Sequence, residues 1–229
     1  MSDALGAAVR EALMPLRDAK RAEQQQAYMK SSMPYIGIPM GQLRQTVNAV
    51  VRANPPGSAA AWQASIRDLW RSASFREERH AAIELLNLKR LQKHWLDPDM
   101  LPMIGDLIVE GAWWDYVDAI ATNTVHTLLH RFRAEVTPKL DEWSRDANLW
   151  LRRTAIICQL KSKSDTDLQL LSDAITRSLD DDDFFARKAI GWALRQHART
   201  DPQWVLQFVS DNDDALSALS KREALKHLR

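Results

Sequence analysis

The sequence of 229 residues contains one cysteine, Cys158, so it lacks the residues for a disulfide framework or for a cysteine-rich zinc site. A lone thiol is typical of proteins of the reducing cytosol. The segment 1–20 is amphipathic and has no apolar core of the signal-peptide kind, and no later stretch is apolar and long enough to cross a bilayer. We therefore expect a soluble, cytoplasmic protein without a membrane partner.

An excess of charge of one sign is also missing. The chain has 31 basic and 30 acidic residues and a formal net charge of +1, so a nucleic-acid-binding surface would require charges segregated on one face. The sequence has no phosphate-binding glycine loop and no His-Glu-x-x-His, Gly-x-Ser-x-Gly or paired-cysteine motif, which argues against the enzyme classes that use them. The six histidines are scattered. We expect no metal site.

The sequence does have helical periodicity almost everywhere. Apolar residues recur at spacings of three and four without strand alternation, which predicts an all-α protein. Ser74 and Glu77 are predicted to form a capping box. The predicted helices span roughly 3–31, 39–53, 58–72, 75–94, 98–110, 113–132, 139–145, 147–161, 165–179, 183–199, 201–209 and 213–228. Because helix pairs recur about every 35–45 residues, we predict a curved α-solenoid of antiparallel HEAT-like pairs in one domain, 1–229.

One acidic residue lies beside an aromatic pair in Trp-Trp-Asp-Tyr-Val-Asp at 113–118. Trp114 and Asp118 are four residues apart and so share a helix face. Asp118 lies at the margin of an apolar stripe formed by Trp114, Val117, Ala121, Val125 and Leu128. An acid in that place is either a satisfied structural group or a functional one. Asp115, in the first turn, is interpreted as a capping or helix-dipole residue.

Two further segments carry basic residues in unusual settings. Arg153 interrupts the apolar face of a helix at 147–161, so it requires a carboxylate or phosphate partner, and a structural ion pair is the alternative to a functional role. A later helix aligns four residues on one face, namely Lys188, Trp192, Arg195 and Arg199. Cations interleaved with an aromatic ring suit a nucleic-acid groove, although a solvated face with a half-buried Trp fits as well. Gly191 suits close approach of another helix or of a ligand backbone.

Five segments, taken in order, resemble a known family. They are Tyr-Met-Lys to Tyr-Ile-Gly-Ile-Pro at 28–39, Glu-Glu-Arg-His-Ala-Ala-Ile-Glu-Leu-Leu at 77–86, and the segments at 113–118, 149–156 and 187–195. The set is similar to the AlkD-like DNA glycosylases, which are built from HEAT-like repeats. This resemblance implies a concave DNA-binding face and base excision repair. The implied reaction hydrolyses the N-glycosidic bond of cationic N3- or N7-alkylated purines in duplex DNA, such as 3-methyladenine and 7-methylguanine.

The resemblance also implies roles for individual residues. The residues that fall on catalytic positions are Asp118, Trp114 and Arg153, and those that fall on lesion-binding positions are Trp192 and Tyr28. Trp113 is interpreted as structural. We expect Arg153 to bind a phosphate near the lesion and to orient Asp118. More remote phosphate contacts are expected from Lys161, Lys188 and Arg195.

The expected chemistry needs little besides a carboxylate. An alkylated purine is already positively charged and leaves as a neutral base, so no acid is needed to protonate it. One carboxylate can stabilise the oxocarbenium-like sugar and orient the attacking water. We expect no cofactor, and a monomer acting on duplex DNA, in the nucleoid if the source is bacterial. Two alternatives stay open: a non-catalytic HEAT-like scaffold that binds DNA or protein, and a glycosylase of the same fold with another lesion preference.

Overall fold

The computed structural model describes residues 4–228. Within that range the chain forms helices joined by short connections and no strand, which confirms the all-α prediction. It divides between Leu96 and Asp97 into two compact units. The curved solenoid, its concave face and the single domain 1–229 stay predictions. In the same range, no helix combines the length and the apolar character needed to span a membrane.

The first unit contains six α-helices within its described residues: α1 (Ala4–Leu13), α2 (Ala19–Met29), α3 (Met40–Ala53), α4 (Ala59–Arg71), α5 (Arg76–Leu86) and α6 (Lys89–Trp95). The single helix predicted over 3–31 is wrong because Pro15 lies in a 3-10 turn. Asp18 then caps a new helix by accepting the backbone N–H of Arg21. The helix predicted over 75–94 is likewise divided, at Asn87 and Leu88.

Besides two 3-10 turns (Pro98–Met100 and Lys163–Asp165), the second unit contains these described helices: α7 (Leu101–Gly111), α8 (Trp114–Ala119), a π-helix (Ile120–Val125), α9 (His126–Arg131), α10 (Arg133–Trp143), α11 (Leu149–Ile157), α12 (Leu168–Thr176), α13 (Phe184–His197), α14 (Pro202–Asp211) and α15 (Ala218–Ala224). The helix predicted over 139–145 begins earlier and contains Pro138 in its interior. A proline there frees the carbonyl of residue 134, and Ala134 is exposed, so water can satisfy that carbonyl.

A buried carboxylate organises the loop between α2 and α3. Glu77 is 1% exposed and accepts the backbone N–H groups of Ile36, Gly37 and Ile38 at 2.9, 2.8 and 3.1 Å. Gly37 has a φ of +97°, and a Cβ there would lie 2.1 Å from the carbonyl oxygen of Asp18. The segments 28–39 and 77–86 are therefore joined directly, by hydrogen bonds between the Glu77 carboxylate and the backbone of the loop.

The capping box predicted for Ser74 and Glu77 is wrong. The N-cap residue of α5 is Phe75, which makes no side-chain capping bond, and Glu77 is turned towards the loop instead. Ser74 donates its backbone N–H to Glu78. Three N–H donors on the loop compete for the carboxylate that the sequence pattern assigns to the cap, and this competition cannot be seen from local spacing.

Glu77→Gln should destabilise the first unit. The amide turns an N–H₂ group towards backbone donors, so at least one buried donor loses its acceptor, at a cost of about 1–3 kcal/mol. The measurement is the free energy of unfolding in urea at neutral pH. Glu84→Gln is the matched control on the same helix, because Glu84 pairs with the exposed Arg44. That pair is worth at most about 1 kcal/mol. Equal losses in the two variants would contradict the role given to Glu77.

Candidate active site

Asp118 and Arg153 form a forked ion pair between α8 and α11. Oδ1 of Asp118 accepts from Nε of Arg153 and Oδ2 accepts from Nη2, both at 2.8 Å. The side chains are 16% and 5% exposed, respectively. Nη1 of Arg153 donates to the carbonyl oxygen of Phe185 on α13 at 2.6 Å. The partner that the sequence analysis requires for Arg153 is thus a carboxylate, and three helices meet at its guanidinium.

Trp113, Trp150 and Phe185 form an aromatic cluster, which is joined to this pair through the backbone of Phe185. The ring centroids of Trp113 and Phe185 are 5.4 Å apart, and those of Trp150 and Phe185 are 5.1 Å apart. The Trp113 and Trp150 centroids are separated by 6.3 Å. These contacts fix the residue whose carbonyl accepts from Arg153, and they support the structural interpretation of Trp113. Sequence reasoning missed Trp150 and Phe185, although Trp150 lies within a segment that carries the resemblance and Phe185 lies two residues before another.

The pKa of Asp118 is raised above its ordinary value of 3.8. Burial is the largest cause, and the negative charge of Asp115 adds to it, while the hydrogen bonds and the charge of Arg153 act in the opposite direction. The carboxylate is therefore poorly solvated compared with an exposed one. A positive charge that develops beside it is correspondingly less screened by water.

Trp114 shares a helix face with Asp118, as predicted. It is the half-buried first residue of α8, four positions before the acid. The rest of the predicted stripe is confirmed by four fully buried residues, Val117, Ala121, Val125 and Leu128.

The continuous helix predicted over 113–132 is wrong, since the π-helix at Ile120–Val125 interrupts it. Side chains of this segment hold the backbone carbonyls before it. Thr122 Oγ1 donates to the carbonyl of Asp118 at 2.8 Å, and Asn123 Nδ2 donates to that of Ala119 at 2.7 Å. Apolar spacing does not reveal such a segment, and π-turns of this kind are frequent at functional sites.

The basic face predicted on α13 is partly neutralised by Glu223 of α15. Lys188 Nζ lies 3.1 Å from Oε1 of Glu223, and Arg195 pairs with Oε2 of the same carboxylate. Burial raises the pKa of Glu223, but the hydrogen bond of Lys188 and the positive charges of Lys188, Arg195 and Lys226 outweigh it, so the net shift is downward. Glu223 is therefore ionised at neutral pH. Phosphate contacts by Lys188 and Arg195 stay predictions, and such contacts would have to compete with this carboxylate.

Gly191 allows α13 and α15 to approach closely, as expected. A Cβ at this position would lie 2.5 Å from Cβ of Glu223 and 3.0 Å from the carbonyl oxygen of Ser220. Trp192, the next residue, is half-buried. Its convergence with Asp118 stays a prediction.

Two other predicted site residues are exposed. Lys161 lies beyond the end of α11, and its Nζ donates to Asn123 Oδ1 at 2.6 Å. Tyr28 is 77% exposed and belongs to α2 of the first unit. Roles for both in DNA binding stay predictions.

Comparison with known proteins decides the family. The sequence profile of the family described as "DNA alkylation repair enzyme" matches residues 9–228. The chain belongs to this family. A solved structure described as a "Predicted DNA alkylation repair enzyme from Enterococcus faecalis" is 29% identical in sequence and has a TM-score of 0.83, covering 93% of this chain and 96% of that one. No curated protein matches the chain significantly.

Arg153→Met should leave the salt dependence of DNA binding unchanged. The guanidinium is 5% exposed and three of its N–H groups are used inside the protein, so an internal role predicts no counterion release. In Lys188→Met, by contrast, loss of a phosphate contact should reduce the slope of log K against log salt by about 0.9. Both slopes are measured by fluorescence anisotropy with undamaged duplex. A reduced slope for Arg153→Met would support the phosphate contact expected from the sequence.

Proposed function

We propose that this DNA alkylation repair enzyme is a DNA glycosylase that hydrolyses the N-glycosidic bond of cationic N3- or N7-alkylated purines in duplex DNA. The observation that carries the proposal is the Asp118–Arg153 pair, with Trp114 on the same helix face as the carboxylate. The substrate class comes from the resemblance and from the chemistry that one carboxylate supports.

In this mechanism Asp118 is the catalytic residue. Departure of a cationic purine leaves an electron-poor, oxocarbenium-like sugar, and a nearby carboxylate stabilises it and orients water for attack. At about 4 Å and an effective dielectric constant near 20, the attraction between the two charges is about 4 kcal/mol. When that attraction arises only in the transition state, it corresponds to about a thousandfold in rate.

Arg153 acts on Asp118 and is therefore a positioning residue. Its Nε and Nη2 each hold one carboxylate oxygen, so they fix the plane of the carboxylate. Each oxygen keeps a further lone pair that can accept from water. Trp114 and Trp192 are proposed to flank the sugar or the lesion. The face of a Trp ring attracts a cation by about 0.5–2 kcal/mol.

The deciding experiment is base release from methylated duplex DNA by wild type and by Asp118→Asn. We expect the variant to lose excision by about a thousandfold and to keep its DNA binding, because the charge is lost while the shape is retained. Asp115→Asn is the matched control in the same helix turn and should stay close to the wild-type rate. If wild type releases no alkylated purine, the scaffold alternative is correct. If Asp118→Asn is as fast as wild type, the catalytic assignment is wrong.

The low-pH side (acid limb) of the pH profile of the excision rate should report the pKa of Asp118. Protonation removes the charge that stabilises the sugar cation, so the single-turnover rate should fall as the pH is lowered through that pKa. Because burial raises the pKa, the midpoint should lie above 3.8. Asp115→Asn should move the midpoint to lower pH, since the charge of Asp115 raises the pKa of Asp118. A midpoint at or below 3.8 in folded protein, monitored by circular dichroism, would contradict this assignment.

A further inference from the structure

The helices that carry Asp118 and Arg153 are joined at a second place, outside the ion pair. Beyond the end of α11, Lys161 Nζ donates to Asn123 Oδ1 at 2.6 Å. Asn123 is the fourth residue of the π-helix that directly follows α8. The two segments therefore contact each other both at the carboxylate and one turn after it.

The contact of Asn123 with Lys161 is made from within a π-helical turn. Hydrogen bonds in a π-helix link residues five apart, and the backbone N–H of His126 donates to the carbonyl of Ala121 in this way. Asn123 lies inside this widened turn, and its side chain contacts Lys161 beyond the end of α11.

An asparagine suits this position because both ends of its amide are used. Nδ2 donates to the carbonyl of Ala119 at 2.7 Å while Oδ1 accepts from Lys161. Its neighbour Thr122 holds the carbonyl of Asp118 itself at 2.8 Å. The two backbone carbonyls that follow the Cα of Asp118 are thus held by side chains, and one of these side chains, Asn123, is held in turn by Lys161 beyond the end of α11.

We propose that Asn123 and Lys161 are positioning residues for Asp118, which keep its carboxylate aligned with the guanidinium of Arg153 by holding the π-helix against the end of α11. This inference rests on the proposed function, since it takes Asp118 as the catalytic group. It gives Lys161 a role within the protein in addition to the remote phosphate contact expected from the sequence.

The test is single-turnover excision of 7-methylguanine from methylated duplex at saturating enzyme, measured across pH. Asn123→Leu keeps the side-chain volume and removes both hydrogen bonds. We expect its rate to fall tenfold to about a hundredfold, the range for a catalytic group displaced by up to about 1 Å. The acid-limb midpoint should move to higher pH, because a looser contact with Arg153 lowers the pKa of Asp118 less.

The partnership of the two residues is tested by a double-mutant cycle. Lys161→Met should also slow excision. The double variant with Asn123→Leu should be no slower than Asn123→Leu alone, because both substitutions remove the same hydrogen bond between Lys161 and Asn123. Lys161→Arg keeps a donor and should restore most of the rate. The control is Lys139→Met, which removes another lysine of the same unit, paired with Glu142. It should behave as wild type. Thermal unfolding checks that every variant is folded.

The outcomes separate this inference from the function on which it rests. If wild type excises the base, Asp118→Asn does not, and Asn123→Leu keeps the wild-type rate and pH midpoint, only the positioning role is wrong. Multiplicative losses in the double variant, or weaker DNA binding by Lys161→Met with an unchanged rate, would also overturn it. If wild type excises nothing, or Asp118→Asn is as fast as wild type, the proposed function falls and the positioning role falls with it.

Discussion

The second unit is built around a charged pair held away from water. Removing a carboxylate and a guanidinium from solvent costs several kcal/mol, and their attraction offsets this only when the geometry is good and the remaining donors are satisfied. Both conditions are met by Asp118 and Arg153, because the fork uses both carboxylate oxygens and the carbonyl of Phe185 accepts a third N–H. Replacement of such a buried pair by apolar residues of similar volume is often neutral or stabilising. Stability alone therefore gives no reason for an acid at this position.

The first unit supplies a useful contrast in Glu77. That carboxylate is 1% exposed and is surrounded by three backbone donors of a closed loop. All of its neighbours belong to the protein, and it holds the loop that contains Gly37. Asp118 is also poorly solvated, but its side chain is 16% exposed and receives donors from one arginine. Solvent reaches the side chain of Asp118 but scarcely reaches that of Glu77, which is the physical ground for proposing chemistry at Asp118 and a structural role for Glu77.

The sequence predicts much of this fold because helical periodicity is a local property. The buried stripe after Trp114 and the need of Arg153 for an anionic partner both follow from positions within one helix. The errors arise where a distant partner decides the outcome. Glu77 accepts hydrogen bonds from backbone donors about forty residues earlier and does not form the predicted cap. Glu223 of α15 pairs with two of the cations that form the basic face predicted on α13. The π-helix is missed for a local reason, since polar side chains such as Asn123 bond backbone carbonyls there and apolar spacing carries no information on such bonds.

The charge balance around the site is consistent with a cationic substrate. A strongly basic cleft would attract phosphates, but it would also repel an alkylated purine and oppose charge development on the sugar. Here Arg153 is committed to Asp118, and Lys188 and Arg195 share Glu223. Of the residues aligned with them on α13, Arg199 is exposed just beyond the helix end. If the substrate is the proposed one, pairing cations with acids in this unit keeps the potential near Asp118 favourable for a positive lesion.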